Sequence, residues 1–331
     1  MELEKRIFAA SADDFNNLAI ELFQFQYRKN PIYRQYCDSL KVDADNIDSP
    51  EKIPFLPISF FKTHTVKTMK FEAEAVFESS GTTGSVSSKH FVKDLSLYRE
   101  SFNTCFEKFY GLPKYKCILG LLPSYLERKN SSLIFMTEEL IRASGNSLSG
   151  FYLTDHEKLH RTLIHNELLK SPTLLIGVTY ALLDFAEKFP MQLRYTIVME
   201  TGGMKGKREE ITRQQVHKQL QAQLGIDLVH AEYGMTELLS QAYSKGDGIF
   251  HCPRWMKVLL RDEDDPFHVT DAVKADNRSL TGAINIIDLA NIYSCGFIAT
   301  DDIGRLHANE SFEVLGRMDN SDIRGCSLLT I

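Results

Sequence analysis

Along the chain, apolar positions recur at helical spacing in some stretches and run unbroken in others. Residues 12–29 place Phe15, Leu18, Ala19, Leu22, Phe23 and Phe25 near a 3.6-residue period, which predicts an amphipathic helix. Asn30-Pro31 ends it, and a second helix is expected from Ile32 to Leu40. Pro50, Pro54 and Pro57 keep 47–58 out of any long helix and predict an extended connection. Ala75-Val76-Phe77 reads as a short strand, and Phe91 to Tyr110 reads as a helix. Residues 117–122 form a continuous apolar run closed by Pro123, as expected of a strand buried on both faces. A helix over 131–144, a strand over 174–178, a helix over 179–188 and a strand over 194–200 follow. A polar, Gln-rich helix over 207–224 and a fourth strand over 227–230 complete the series. Buried strands alternating with helices predict an α/β core with substantial parallel pairing. Beyond about 245 the texture changes to short β-rich pieces (257–261, 283–288, 296–300), which predict a smaller β subdomain.

Composition narrows the class. The 331 residues are 43% hydrophobic and 25% charged, ordinary for a globular protein with a sizeable core. A net charge of −6 provides no basic excess for a nucleic-acid or anionic-membrane partner. The N-terminus has no apolar h-region, and no run of about 18 apolar residues occurs, so neither a signal peptide nor membrane insertion is expected. Cys37, Cys105, Cys117, Cys252, Cys295 and Cys326 are widely spaced without a Cys-x-x-Cys pair. They read as free thiols of a reducing compartment, which points to the cytoplasm.

The strand at Ala75 runs into Ser79-Ser80-Gly81-Thr82-Thr83-Gly84. Its glycines can turn successive N–H groups inward as an anion nest, and its hydroxyls add donors suited to a polyphosphate. No Gly-Lys-Ser/Thr follows, so it is not a Walker A loop. Alone, the stretch serves equally well as a plain turn. A second motif, His156-Glu157-Lys158-Leu159-His160, has the spacing of a zinc peptidase helix. The usual third ligand is missing, and locally satisfied helix histidines are the expected reading.

Four segments follow the loop in order. Thr201-Gly202-Gly203 lies at a strand's C-terminal end, where open α/β sheets bind ligands and glycines let a flat ring approach backbone. Tyr233-Gly234-Met235-Thr236-Glu237 offers an aromatic face, a hydroxyl and a carboxylate. Thr300-Asp301-Asp302-Ile303-Gly304 is expected to place acidic groups in a turn, for ribose hydroxyls. Gly316-Arg317-Met318-Asp319 comes last. Each alone could be a polar turn between core strands.

As an ordered set over about 75–325, these segments resemble the adenylate-forming superfamily of acyl-CoA synthetases, luciferases and adenylation domains. Phe60-Phe61-Lys62-Thr63-His64 and Pro123-Ser124-Tyr125-Leu126-Glu127-Arg128 look like the LuxE-type acyl-protein synthetase branch, related to phenylacetate-CoA ligases. The resemblance implies the large N-terminal domain of that fold over 1–315, with an α/β core to about 245 and a β-rich part from about 246. Residues 316–331 would be a truncated hinge and tail, without the usual small C-terminal domain.

The resemblance further implies that Ser79, Ser80, Gly81, Thr82, Thr83 and Gly84 hold the ATP phosphates. Gly202 and Gly203 would flank adenine, Tyr233, followed by Gly234, would stack on it, and Asp302 and Arg317 would serve the ribose. Thr236 would meet the α-phosphate and Glu237 would place Mg2+. The chemistry implied is activation of a carboxylic acid, expected to be fatty, as acyl-AMP.

There are departures from the family pattern. Ser87 stands at the loop's lysine position, with Lys89 two places on, and Ala231 stands where an adenine-reading Asn or Asp is usual. With the C-terminal domain's catalytic lysine missing, Lys205, Lys207 or Arg324 would have to supply a cation. Cys326, beside Arg324, reads by itself as a tail cysteine or a nucleophile. The resemblance makes it the acyl acceptor, feeding a partner reductase or acyltransferase. An acyl-CoA or aryl-CoA ligase, a non-catalytic nucleotide-binding module and a zinc peptidase are the alternatives.

Overall fold

The computed structural model describes residues 2–79, 86–123, 130–202, 211–262, 265, 267–271 and 279–318. The chain opens with helices α1 (Glu2–Ala9), α2 (Phe15–Lys29) and α3 (Pro31–Ser39). Strand β1 (Leu56–Pro57), the single turn α4 (Phe60–Thr63) and the hairpin β2 (Ala75–Glu78) and β3 (Lys89–Val92) follow. Next come α5 (Leu95–Tyr110), β4 (Cys117–Leu121), α6 (Ser132–Ser144), β5 (Gly150–Phe151) and α7 (His156–Leu168). Then β6 (Thr173–Val178), α8 (Thr179–Lys188), β7 (Thr196–Thr201), α9 (Arg213–Leu224) and β8 (His230–Tyr233) alternate. The remainder is all strand: β9 (Ala242–Ser244), β10 (Ile249–His251), β11 (Met256–Arg261), β12 (Val269–Thr270), β13 (Leu280–Asp288), β14 (Phe297–Leu306) and β15 (Phe312–Arg317).

Two compact units share these elements, and neither is a single stretch of chain. The first takes the described parts of 1–102, 234–242 and 251–318; the second takes those of 103–233 and 243–250. The β-rich C-terminal segment therefore belongs with the N-terminal helices rather than standing alone.

In the second unit the strands run parallel in the order β5-β4-β6-β7-β8. Both faces of β4 and β6 are covered, which is why their sequences are unbroken apolar runs. Leu119, Leu121, Leu175, Val178 and Val198 pack with Leu159 and Leu163 of α7, Leu182 and Phe185 of α8 and Leu220 of α9. Helix α9 starts at a reciprocal capping box between Thr212 and Gln215 and stops where Gly225 turns left-handed at φ +59°.

In the first unit an antiparallel sheet runs β12-β11-β13-β14-β15, with β1 pairing parallel to β14. Phe23, Tyr33, Phe55 and Phe297 form its aromatic centre, with ring centroids 6.0–6.3 Å apart. Phe23 and Phe297 are both fully buried, and each is worth about 1.5–3 kcal/mol of apolar transfer. Gln26 of α2 donates to the carbonyls of Asn291 and Ile292 at 2.9 Å and accepts from the Gly296 N–H. Asn30 caps α3 and donates to the Ser294 carbonyl at 2.9 Å. Two buried amides thereby hold the 288–296 turn.

Three expectations change. The predicted helix from Phe91 begins only at Leu95, because 89–92 pairs with β2 as a strand. The fourth strand is 230–233, not 227–230, which makes Tyr233 its last residue. Asp301 and Asp302 lie within strand β14 rather than in a turn: Asp302 pairs with Arg317 of β15, and on the β13 side both fall in the irregularity between Ala299 and Ile303.

Candidate functional site

In the second unit, the C-terminal ends of β7 and β8 lie side by side, with Thr201 opposite Glu232. Gly202 follows at φ +67°, a conformation that favours glycine. Its carbonyl accepts from the Thr179 hydroxyl at 3.1 Å, and the same hydroxyl donates to Glu200 Oε2 at 2.8 Å. Glu200 Oε1 meets Arg213 Nε at 3.0 Å and His217 Nε2 at 3.2 Å. Burial raises the Glu200 pKa, but the bond from His217, the charge of Arg213 and the Thr179 hydroxyl outweigh it, leaving about 2. This buried anion fixes the backbone leading into Gly202. The Tyr233 ring packs on Phe250 at 5.8 Å, and the Arg213 guanidinium lies 5.2 Å from the centre of that same Phe250 ring.

Glu232 behaves differently. It accepts from the Thr201 hydroxyl at 2.5 Å, yet burial dominates and raises its pKa to about 7. Ala231, at the expected base-reading position, is buried.

In the first unit, Ser79 and Ser88 close the neck of the β2–β3 hairpin. Ser79 N–H donates to the Ser88 carbonyl at 3.1 Å and Ser88 N–H to Ser79 Oγ at 2.9 Å. The Ser79 hydroxyl is thus engaged across the neck, and Lys89 pairs with Glu78 at 3.6 Å. Ser80, Gly81, Thr82, Thr83 and Gly84 lie outside the described residues, as do Gly203, Lys205, Lys207, Arg324 and Cys326. So do Ser124 to Arg128.

Gly234 is exposed, and Thr236 and Glu237 form a turn of which Thr236 is half-buried. Glu237 is wholly buried, and neither carboxylate oxygen has a hydrogen-bond partner among the described residues. Its backbone, in contrast, is held on both sides. His90 Nδ1 meets the Thr236 carbonyl at 2.8 Å, and Asn291 Nδ2 donates to the Glu237 carbonyl at 2.8 Å. Asp288 accepts from the N–H groups of Leu239 and Ser240 at 2.8 and 3.1 Å and from the Ser240 hydroxyl at 2.6 Å. Burial pushes Asp288 up to about 6 against these bonds. It also pushes His90 down to about 4, against the two contacts at its ring nitrogens, so the ring is neutral at ordinary pH. A neutral ring has one N–H, and because the Thr236 carbonyl can only accept, the proton sits on Nδ1, leaving Nε2 in a polar contact with Asn291 Oδ1 that carries no hydrogen. A buried carboxylate with open oxygens costs free energy unless a cation completes it, so Glu237 fits a divalent ion.

Asp302 stands opposite Arg317 in the β14–β15 ladder, and Arg317 Nη2 pairs with Asp301 Oδ2 at 2.9 Å. The strand holds these groups at fixed register, one residue beyond Thr300, whose carbonyl accepts from the buried Arg261 at 2.5 Å.

His156 and His160 share helix α7, but each packs on an aromatic ring. His160 stacks on Phe189 at 4.9 Å, and His156 meets Phe185 edge-on at 5.8 Å. Among the described residues no group of three or more His, Cys, Asp or Glu is arranged to hold a metal ion. The five described cysteines are free thiols, and burial pushes Cys37 up to about 12, far from a nucleophile's range. No helix among the described residues is long and apolar enough to cross a membrane.

His90, Asp288, Asn291, Glu200 and Glu232 belong to no sequence motif. Glu200 and Glu232 carry one signal, a charge inside an otherwise buried strand. His90 and Asn291 are 201 positions apart and carry none.

Residues 3–135 match the family described as acyl-protein synthetase, LuxE. The chain is 23% identical over 338 residues to a long-chain-fatty-acid–luciferin-component ligase of Aliivibrio fischeri, covering 95% of this chain and 86% of that protein. Its fold is similar to ATP-bound MatB from Rhodopseudomonas palustris, with a TM-score of 0.53 at 16% identity over 76% of this chain. A long-chain-fatty-acid-CoA ligase from Archaeoglobus fulgidus gives a TM-score of 0.51 at 15% identity over 73% of this chain. The chain spans about half the length of these solved structures, 49% and 51%. The chain is thus similar to the acyl-protein synthetases, LuxE, over residues 3–135, and its fold is similar to that of these ATP-bound and fatty-acid-CoA ligase structures.

Proposed function

We propose that the protein is a cytoplasmic ligase that activates a long-chain fatty acid with ATP and passes the acyl group to its own Cys326. The observation that carries this reading is the buried, unpartnered Glu237 carboxylate, held by its backbone alone within the Tyr233–Glu237 motif. Long-chain fatty acid as substrate rests on the name of the Aliivibrio fischeri relative.

In the first half-reaction the acid's carboxylate oxygen attacks the α-phosphorus of ATP. The bond to the pyrophosphate oxygen breaks, giving acyl-AMP. Thr236 contacts the α-phosphate, Asp302 and Arg317 hold the ribose, and Tyr233 with Gly202 and Gly203 holds the adenine. Ser79 to Gly84 hold the departing phosphates. Glu237 is the residue that would hold Mg2+, which neutralises phosphate charge when bound. Catalysis of this type is positioning plus electrostatic stabilisation. In the second half-reaction the Cys326 thiolate attacks the acyl carbon, AMP leaves, and a thioester remains for a partner reductase or acyltransferase.

Pyrophosphate release over a panel of fatty and aryl acids, with intact-protein mass spectrometry, tests the reading. The expected result is acid-dependent release and a hydroxylamine-sensitive adduct of one acyl mass that Cys326→Ala abolishes. Turnover that requires CoA and leaves no protein adduct would replace it with an acyl-CoA ligase.

A further inference from the structure

We propose that His90 is a positioning residue for the metal–nucleotide site, tying the β2–β3 hairpin to the backbone that presents Thr236 and Glu237. The proposal rests on the reading of Glu237 as the carboxylate that holds magnesium.

Glu237 presents a mechanical problem. A buried side chain with no bonds of its own keeps its aim only if its backbone is immobile. The carbonyls of Thr236 and Glu237 are each bonded by one buried side chain, His90 and Asn291. Those two side chains also meet each other, His90 Nε2 lying 3.0 Å from Asn291 Oδ1. Asn291 cannot shift independently, because its Nδ2 also donates to the Cys295 carbonyl at 2.9 Å. His90 in turn is fixed by the hairpin, where it stands opposite Phe77, two residues beyond the Ser79–Ser88 neck. An apolar ring would pack as well against Phe61, whose centroid is 6.1 Å away, and would avoid burying two polar nitrogens. The polar ring is therefore explained by what it holds. A displacement of the hairpin is transmitted through His90 to the Thr236 carbonyl, and the phosphate-side hairpin and the metal-side turn move as one body.

Two variants separate this role from simple support of the fold. His90→Phe keeps the ring's packing and removes the hydrogen bond to Thr236 and the contact with Asn291; His90→Asn keeps a donor near the Nδ1 position and gives up the reach to Asn291. Outer residues that orient a metal ligand contribute about 10–100-fold in metal affinity, so H90F should raise the Mg2+ concentration for half-maximal pyrophosphate release about tenfold. The KM for the acid should stay within about twofold, because those bonds touch the metal side alone. H90N should fall between H90F and the unaltered protein. Calorimetry of ATP binding gives a readout without turnover: Mg2+ should strengthen binding in the unaltered protein, H90F should lose about tenfold of that gain, and binding of ATP alone should be unchanged.

If H90F loses activity only in proportion to its folded fraction, with the Mg2+ dependence unaltered, the proposal is overturned. If H90F does not fold, H90N decides, and an unaltered Mg2+ dependence in both assays overturns the proposal. Mg2+-ATP binding without pyrophosphate release from any acid would count against the function while leaving His90 to the binding assay. A protein that binds no ATP with Mg2+ present would overturn both.

Discussion

Glu200 and Glu232 in the second unit and Glu237 in the first are all buried, and their surroundings treat them in three ways. Glu200 has three partners and is held ionised, with a pKa near 2. Glu232 has the Thr201 hydroxyl and is held near 7. Glu237 has no side-chain partner among the described residues, while Asn291 holds its carbonyl and His90 and Asp288 hold the backbone at Thr236 and Leu239 on either side. Burial alone does not fix what a carboxylate is for. Full saturation makes a structural anchor, partial satisfaction a titrating group, and bare oxygens on a rigid backbone suit the cation proposed above.

The largest effect expected on this contrast is from Glu200→Gln. It leaves Arg213 and His217 facing a neutral amide, and breaking such a buried pair should cost about 3–5 kcal/mol in denaturant unfolding. The pH dependence of the unaltered protein carries the same information. A carboxylate whose folded pKa is lowered contributes stability above its unfolded value, and that contribution is lost as the pH falls. For Glu200 the window runs from 4.5 down to about 2, worth about 3 kcal/mol, and the Gln variant should lack it.

Glu237→Gln should do the opposite. Pyrophosphate release should fall on the order of 10²-fold, as loss of one electrostatic group in an active site does, with no loss of thermal stability. With no partner among the described residues, the side chain makes no bond that an amide would forfeit. A variant that melts several degrees lower would mean that Glu237 has a structural partner and is not an open ligand.

Glu232→Gln tests the intermediate case. A raised folded pKa gives stability that is complete below the unfolded value and lost as the pH rises through the folded one. Glu232 should therefore withdraw about 2–3 kcal/mol between pH 4.5 and about 7. Subtracting the unfolding free energies of E232Q from those of the unaltered protein across that range should isolate the slope; a flat difference would show that Glu232 is ionised in the fold.

The smallest effect belongs to a residue outside the contrast. His160→Ala removes one stacked contact with Phe189 and should cost about 0.5–1.5 kcal/mol, with the pyrophosphate rate unchanged. Loss of activity restored by added zinc would revive the peptidase reading of that helix.

Parts of this molecule were legible residue by residue. The apolar runs at 117–121 and 174–178 have no polar face to misread, so their strands are where the pattern placed them. Helix α2 likewise follows its period from Phe15. The acidic pair Asp301-Asp302 misled because a turn-like composition was outweighed by the pairing of the strand on either side of it, with β13 at Ala299 and Ile303 and with β15 at Asp302. Lys89–Val92 misled for the same reason: its partner is β2, across a loop, and local propensity contains no term for that pairing. Among the site residues, Thr236 and Glu237 were visible as a motif, whereas the residues that hold them were not. His90 and Asp288 are ordinary in sequence and acquire meaning only from which carbonyl or N–H they meet.

The sequence by itself determined the local menu: unbroken apolar runs and period-3.6 burial, a glycine at 202, and the set of side chains capable of binding a nucleotide. Those follow from each residue's own sterics and polarity. Tertiary structure decided what the charges mean, because a buried carboxylate's pKa and use depend on how many donors reach it, and those donors come from distant parts of the chain. Glu200 and Glu237 are the same amino acid, and contacts brought together by the fold make one an anchor and leave the other open.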